Sequence, residues 1–162
     1  MKNVMLLTGA GQIGMAIARR VGYGMKIVIG DKRRENAEAI ADTMNKAGFT
    51  TVPVEMDLSS RASILALIDT AQQYGEISML VNAAGVSPSQ ASIETILKVD
   101  LYGTAVLLEE VGKVIGKGGV GVTVSSQSGH RMPALDFVMG SCGSRIRRGR
   151  GRILHFYPCN PV

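Results

Sequence analysis

The sequence predicts an α/β fold in which helices cover both faces of a doubly wound parallel sheet. Two observations support this prediction. Strand-like and helix-like segments alternate from residue 3 to Ser126, which is the pattern of consecutive βαβ units. A turn with glycine at positions 9, 11 and 14 joins the first strand-like segment to the first helix-like segment. We expect one domain of three layers, because 162 residues suffice for a single core.

The predicted strands are short apolar runs, most of which end at a glycine or a polar residue. Uninterrupted apolar runs of this kind are typical of strands buried on both faces of a sheet. In chain order, the predicted strands cover residues 3–8, 26–30, 51–56, 77–82 and 120–125. Each intervening helix makes the next strand parallel to the one before it, through a right-handed crossover.

The predicted helices carry apolar residues three and four positions apart. The first covers residues 12–21, and the second covers about residues 33–47, with Gly48 as its C-cap. The third follows an N-cap at Ser59 or Ser60 and ends at Gly75. The fourth is a long helix over about residues 93–115.

The glycine turn has the spacing G-x-G-x-x-G, the fingerprint of dinucleotide binding. One glycine allows a sharp turn, one lets the backbone approach a pyrophosphate, and one lets the helix pack on the strand. The N–H groups that open the helix would face the phosphates, whose charge the helix dipole favours. The candidate cofactor-binding residues here are Gly9, Gly11, Gln12, Ile13 and Gly14. An ordinary tight turn between strand and helix is the alternative.

Asp31 closes the second strand-like run, 22 positions after Gly9. A carboxylate at this place accepts hydrogen bonds from ribose hydroxyls. An N-cap role at the start of the next helix is the alternative. The following residues, Lys32, Arg33 and Arg34, would attract the 2′-phosphate of NADP, whereas the Asp31 carboxylate would repel it. We therefore expect NAD as the cofactor, with NADP as the alternative.

Five motifs together resemble those of the short-chain dehydrogenases/reductases, a family of NAD(P)-binding Rossmann-fold enzymes. The resemblance covers about residues 3–135. The motifs are the glycine turn after Thr8, Asp31, the pair Asp57-Leu58, the run Asn82-Ala83-Ala84-Gly85 and the run Ser125-Ser126-Gln127-Ser128-Gly129. The turn is one residue tighter than the family's usual T-G-x-x-x-G-x-G, and Ala83 replaces the second asparagine of N-N-A-G.

The resemblance implies a strand order of 3-2-1-4-5 and hydride transfer between nicotinamide and a small-molecule alcohol or carbonyl compound. It implies that Asp57 and Leu58 lie against the adenine. It adds further residues to the cofactor site: Asn82, Ala83, Ala84 and Gly85. Lys32 is a further candidate cofactor-binding residue because of its charge beside Asp31. The resemblance makes Ser126 the counterpart of the family's catalytic serine, which hydrogen-bonds the reacting oxygen. It also implies that the helix over residues 93–115 can form the interface of a homo-oligomer.

Two departures from the family pattern affect catalysis. Asp100 stands where the family has a relay asparagine, and an ionised Asp accepts hydrogen bonds but donates none. The sequence contains no Tyr-x-x-x-Lys, the family's acid/base pair; its last lysine is Lys117, and Pro161 stands four residues after Tyr157. We expect this chain to bind the cofactor but to be impaired in catalysis. A non-enzymatic dinucleotide-binding module or sensor is the alternative.

The composition changes after Asp136. Residues 1–136 contain 13 basic and 13 acidic side chains, whereas residues 137–162 contain five arginines and no acid, so the net charge of +5 lies in this tail. The tail shows no amphipathic period, which predicts an irregular segment that lacks the family's later strands. We therefore expect a cofactor-binding domain over residues 1–136, an irregular tail over 137–162 and a truncation or frameshift between them.

Composition also limits the partners and the location. No segment has the long uncharged apolar run of a membrane span. The two cysteines, Cys142 and Cys159, form no disulfide framework and favour the reducing cytoplasm. The arginine and glycine segment over residues 145–152 offers RNA binding as a weaker alternative. No aromatic residue interleaves it, so we expect a solvated tail without nucleic acid. No metal site is assigned.

Overall fold

The computed structural model describes residues 3–126 and the backbone of residues 152–154. The strands are β1 (Asn3–Thr8), β2 (Lys26–Asp31), β3 (Thr50–Glu55), β4 (Glu76–Asn82), β5 (Val120–Thr123) and β6 (Arg152–Leu154). The helices are α1 (Gln12–Val21), α2 (Arg34–Lys46), α3 (Arg61–Gln72), α4 (Ile93–Ile96) and α5 (Thr104–Val114). A π-helical segment, Leu97–Gly103, joins α4 to α5. Within these residues, no helix is long and apolar enough to cross a membrane.

The described strands form one parallel sheet in the order β3-β2-β1-β4-β5-β6. The predicted order of the first five strands is confirmed. β1 lies inside the sheet, and its residues from Val4 to Leu7 are fully buried, which explains their uninterrupted apolar character. Pro53 lies in β3, at the edge of the sheet, where a missing backbone donor is tolerated.

β6 differs from the expectation for the tail. We predicted an irregular segment over residues 137–162, but Arg152–Leu154 pairs in parallel with β5, with Arg152 opposite Val120. The edge of β5 offers backbone groups that a short β-forming stretch can satisfy, and Ile153 favours such a stretch. The run of arginines before Ile153 made this stretch look polar and irregular, so the sequence did not indicate a strand. The rest of the tail lies outside the described residues.

Helices cover both faces of the sheet and complete the three predicted layers. One core lies under α1 and α2 and includes Met5, Leu7, Ile27, Ala37 and Met44. The other lies under α3 and α5 and includes Leu6, Val28, Leu67, Leu80 and Leu107. Successive residues of β1 enter opposite cores, as the geometry of a strand requires. Burial of each large apolar side chain contributes about 1.5–3 kcal/mol to folding.

The fourth predicted helix is interrupted. We expected a continuous helix over residues 93–115, whereas the structure divides it into α4, the π-helical segment and α5. The segment brings buried Gly103 against the backbone of Leu58, where a Cβ atom would overlap the Leu58 carbonyl oxygen. Close packing of Gly103 on this carbonyl therefore accompanies the wider helical turn. Such turns are frequent at functional sites, and Asp100 lies within this one.

Ion pairs around the buried side chain of Glu110 join α3 to α5. Arg61, the first residue of α3, contacts the Glu110 carboxylate, and Lys113 Nζ lies 2.8 Å from the same oxygen. Both cations also reach the exposed Glu109. The hydrogen bond from Lys113, followed by the charge of Arg61, lowers the pKa of Glu110 against the opposing effect of burial. The carboxylate therefore stays ionised at neutral pH and links the two helices.

Candidate functional site

The polar residues that were predicted to follow strands lie at the carboxyl edge of the sheet. Thr8 ends β1, Asp31 ends β2 and Asn82 ends β4. Asp57 follows the end of β3 by two residues, and Ser126 follows the end of β5 by three. Because parallel strands all end at the same edge, this is where the fold gathers its polar groups.

Two glycines of the turn between β1 and α1 are required by the protein's own packing. Gly9 has a φ of +88°, and a Cβ atom there would lie 2.5 Å from the amide nitrogen of Ala84. A Cβ atom on buried Gly14 would lie 2.6 Å from the carbonyl oxygen of Gly9. These two positions hold the end of β1 against the chain that follows β4, and they hold α1 against the turn.

Gly11 is different, because no packing contact explains it. It has extended backbone, with φ −103° and ψ 176°, and among the described residues no atom other than those of its chain neighbours lies within 4 Å of the position that its Cβ would occupy. It is the N-cap of α1, a helix with neither a side-chain cap nor an acidic residue in its first turn. Gln12 and Ile13, the first helical residues, are exposed. An open backbone surface at a helix N-terminus fits a pyrophosphate.

Asp31 braces the glycine turn and the start of α2. One carboxylate oxygen accepts the backbone N–H of Ala10 at 2.9 Å. The other accepts the backbone N–H of Arg33 at 3.0 Å and the side-chain amide of Asn36 at 3.3 Å. The N-cap of α2 is Arg33, without a side-chain capping bond, so the N-cap role that we considered as the alternative for Asp31 is wrong. The Asp31 carboxylate instead holds this N-cap residue and the side chain of Asn36 in the first turn. A carboxylate has about four acceptor positions, so three donors leave one for a ribose hydroxyl.

Asp57 is held by its own loop and by the residue after Asp31. Its carboxylate accepts the Ser59 hydroxyl at 2.6 Å and the Ser59 backbone N–H at 2.9 Å, while Lys32 Nζ lies 3.3 Å away. The hydrogen bond from the Ser59 hydroxyl lowers the pKa of Asp57 against a smaller opposing effect of burial, and Lys32 lowers it further. Leu58 is only 4% exposed and lies in the core. Of this predicted pair, Asp57 is the residue with a partly exposed side chain.

Asn82 is 1% exposed and ties the central strands to α5. Its side-chain oxygen accepts the Thr8 hydroxyl at 2.6 Å, and its side-chain nitrogen donates to the Thr104 hydroxyl at 3.3 Å. Its backbone oxygen accepts the N–H of Val124 at 2.8 Å. The Asn82 side chain therefore links β1 and α5 to the end of β4. Sequence reasoning did not identify Thr104, whose only signal is a hydroxyl four residues after Asp100.

Asp100 holds the loop that follows β4. Its Oδ1 atom accepts the backbone N–H of Val86 at 3.0 Å and lies 3.3 Å from the position of a Cβ atom on Gly85. Ala83 and Ala84 are partly buried beside the glycine turn, and Gly85 is exposed. Ser126 is also exposed. The remainder of its motif, from Gln127 onward, lies outside the described residues.

Comparisons with known proteins agree with this geometry. A family model described as short chain dehydrogenase matches residues 3–139. The short-chain dehydrogenase/reductase bsc3 of Alternaria brassicicola is 37% identical over 131 residues, which are 81% of this chain and 48% of that protein. D-threitol dehydrogenase of Mycolicibacterium smegmatis is 32% identical over 154 residues, which are 89% of this chain and 59% of that protein. The chain thus spans about half the length of the curated relatives it matches.

Solved structures share the fold. A short chain dehydrogenase from Mycobacterium smegmatis superposes with a TM-score of 0.72 at 26% identity, covering 82% of this chain and 61% of that one. A short chain dehydrogenase/reductase from Burkholderia phymatum, solved in complex with NAD, gives a TM-score of 0.76 at 24% identity. That match covers 94% of this chain and 63% of the other, and it shows the fold alone.

The different surroundings of Gly9 and Gly11 predict different effects on stability. Gly9→Ala should lower the free energy of unfolding by about 2–4 kcal/mol, because it combines a left-handed backbone with overlap on Ala84. Gly11→Ser should change it by less than about 0.5 kcal/mol, because serine is a favoured N-cap and the space is open. Urea unfolding followed by circular dichroism measures both. Equal losses in the two variants would contradict this assignment.

Proposed function

Because the chain belongs to the short-chain dehydrogenase family, we propose that residues 1–136 form a domain that binds NAD at the carboxyl edge of its sheet. The observation that carries this proposal is Gly11, which is open to the outside on a turn whose other two glycines are tightly packed. The backbone N–H groups of Gln12 and Ile13 would hold the pyrophosphate. Asp31 would hold a ribose, and Asp57 would lie beside the adenine.

The charges around Asp31 support NAD over NADP. Two of the three cations after it are already paired, since Lys32 contacts Asp57 at 3.3 Å and Arg34 Nε contacts Glu38 at 2.8 Å. The Asp31 carboxylate itself would repel a 2′-phosphate. Arg33 has no ion pair among the described residues, and it is the residue that would favour NADP.

Calorimetric titration with NAD and NADP tests this cofactor assignment. We expect Gly11→Ser to weaken NAD binding about tenfold, because its hydroxymethyl group occupies the approach of the phosphates. Asp31→Ala should also weaken NAD binding and narrow the preference for NAD over NADP. Asp42→Ala, on the exposed face of α2, is the matched control and should bind like the parent. Full NAD affinity in Gly11→Ser would overturn the proposed site.

We propose hydride transfer between nicotinamide and an alcohol or carbonyl carbon as the chemistry of the family to which this site belongs. When bound, the nicotinamide ring donates or accepts the hydride. Ser126 would hydrogen-bond the reacting oxygen. Asp100, already bonded to the Val86 N–H, would accept a hydrogen bond but could not donate one. No tyrosine among the 162 residues is followed four positions later by lysine, so the chain lacks the family's acid/base pair.

This absence favours cofactor binding without efficient turnover, and it supports a non-enzymatic dinucleotide-binding module as the second candidate function. We expect the purified chain, given NAD and a panel of primary, secondary and cyclic alcohols, to form NADH no faster than its Ser126→Ala variant. The absorbance of NADH measures the rate. Robust NAD-dependent oxidation of an alcohol by the parent chain, abolished in Ser126→Ala, would refute the proposed catalytic impairment.

We also propose that the region over residues 93–115 forms a homo-oligomer interface. Ile93, Leu97 and Leu101 are 77%, 52% and 67% exposed, and they lie at four-residue intervals along α4 and the π-helical segment. Exposed apolar side chains so arranged suit burial against a second copy.

Sedimentation equilibrium tests the interface. Leu101→Lys should lower the average molecular mass, because a desolvated charge opposes association. Leu65→Lys, a matched change on α3 at 38% exposure, should leave the mass unchanged. A monomeric parent chain, or equal effects of the two variants, would contradict the proposal.

A further inference from the structure

A second concave site lies at the amino edge of the sheet, opposite the candidate cofactor site. The loops before β2, β3 and β4 line an open cavity of about 510 Å³, which is within the size range of small-molecule pockets. β2 has six residues, so at about 3.3 Å each the two edges of the sheet are about 20 Å apart. A ligand here would not overlap the glycine turn or Asp31.

Aromatic side chains from three separate loops line this amino-edge pocket. They are Tyr23, Phe49 and Tyr74, three of the four aromatic residues that the described part of the chain contains. Tyr23 is 86% exposed and Tyr74 is 39% exposed, so their rings are accessible. Large aromatic surfaces at an open pocket favour ligands with a flat ring, which stack on them.

The pocket also carries an uncompensated positive charge. Lys26 is the only charged residue among the nine described residues that line it. Its ammonium group lies 4.9 Å from the centroid of the Tyr74 ring, a cation–π contact. No carboxylate of the described residues forms an ion pair with it. A negatively charged group that enters the pocket therefore meets a cation that no described carboxylate pairs with.

From these observations we propose that the amino-edge pocket binds a small planar anion, such as an aromatic carboxylate. The exposed ring of Tyr23 stacks on the ligand, while Lys26, which lies over the ring of Tyr74, pairs with its negative group. Thr50 and Gln73, which also line the pocket, add hydrogen-bonding side chains. This site is separate from the dinucleotide site, so the two ligands bind together without competing.

Two matched probes separate the contribution of the ligand's negative charge to binding from that of its aromatic ring. The full chain is titrated with 2-naphthoate and with neutral 2-naphthamide, with ligand-observed NMR as the readout. We expect saturable binding of naphthoate and weaker binding of naphthamide. Lys26→Gln should weaken naphthoate binding about fivefold while changing naphthamide binding less than about twofold. Tyr23→Ser should weaken both probes, and its high exposure makes it harmless to folding.

One control and one competition decide the outcome. Lys117→Gln, at an exposed lysine outside the lining of the pocket, should leave both affinities unchanged. Saturating NAD should leave naphthoate binding unchanged as well. Displacement of naphthoate by NAD would place the probe at the carboxyl edge and overturn the proposal. So would equal naphthoate affinity in Lys26→Gln, or no saturable binding up to about 10 mM.

Discussion

The close approach of Gly9 to the backbone of Ala83 and Ala84 is the constraint on which the rest of the site depends. A Cβ atom at Gly9 would lie 2.7 Å from the Ala83 carbonyl carbon, so only glycine lets β1 end this near to β4. The same proximity allows the Ala83 N–H to donate to the Thr8 carbonyl at 2.8 Å. The N–H of Gly9 donates to Gly30 at 2.8 Å, so β2 is fixed to the same turn.

The acidic residues of this edge are occupied by the protein before any ligand arrives. Asp31 accepts the N–H of Ala10, Asp57 that of Ser59 and Asp100 that of Val86. Each bond joins a carboxylate to a loop that follows a strand. The acidic residues therefore fix the conformation of these loops and also give the carboxyl edge negative charge. A ligand would meet carboxylates whose orientation is already set, which reduces the entropy lost on binding.

Features that depend on local sequence pattern could be predicted from the sequence. Features that depend on contacts between residues far apart in the chain could not. Buried strands such as β1 and β4 are continuous apolar runs, and the glycine spacing between β1 and α1 is visible in the sequence, so the strands and the polar edge could be placed from local pattern. The strand order came from the family resemblance. The pairing of Arg61 with Glu110 joins residues 49 positions apart, and no periodicity indicates it. The same holds for Lys32 with Asp57 and for Asn82 with Thr104. The interruption of the fourth helix is accompanied by close packing of Gly103 against Leu58, a contact that no helix propensity reveals.

The number of residues in the π-helical segment cannot change by even one without disturbing the packing of α5. Each residue of an α-helix advances the side chains by about 100°, so deleting one residue between Leu97 and Gly103 would rotate all of α5 against α4. Glu110 and Val111 would leave the interior, and Thr104 would leave Asn82. The exposed stretch over residues 88–90 carries no such requirement. Insertions and deletions among related sequences should therefore collect before α4 and avoid the π-helical segment.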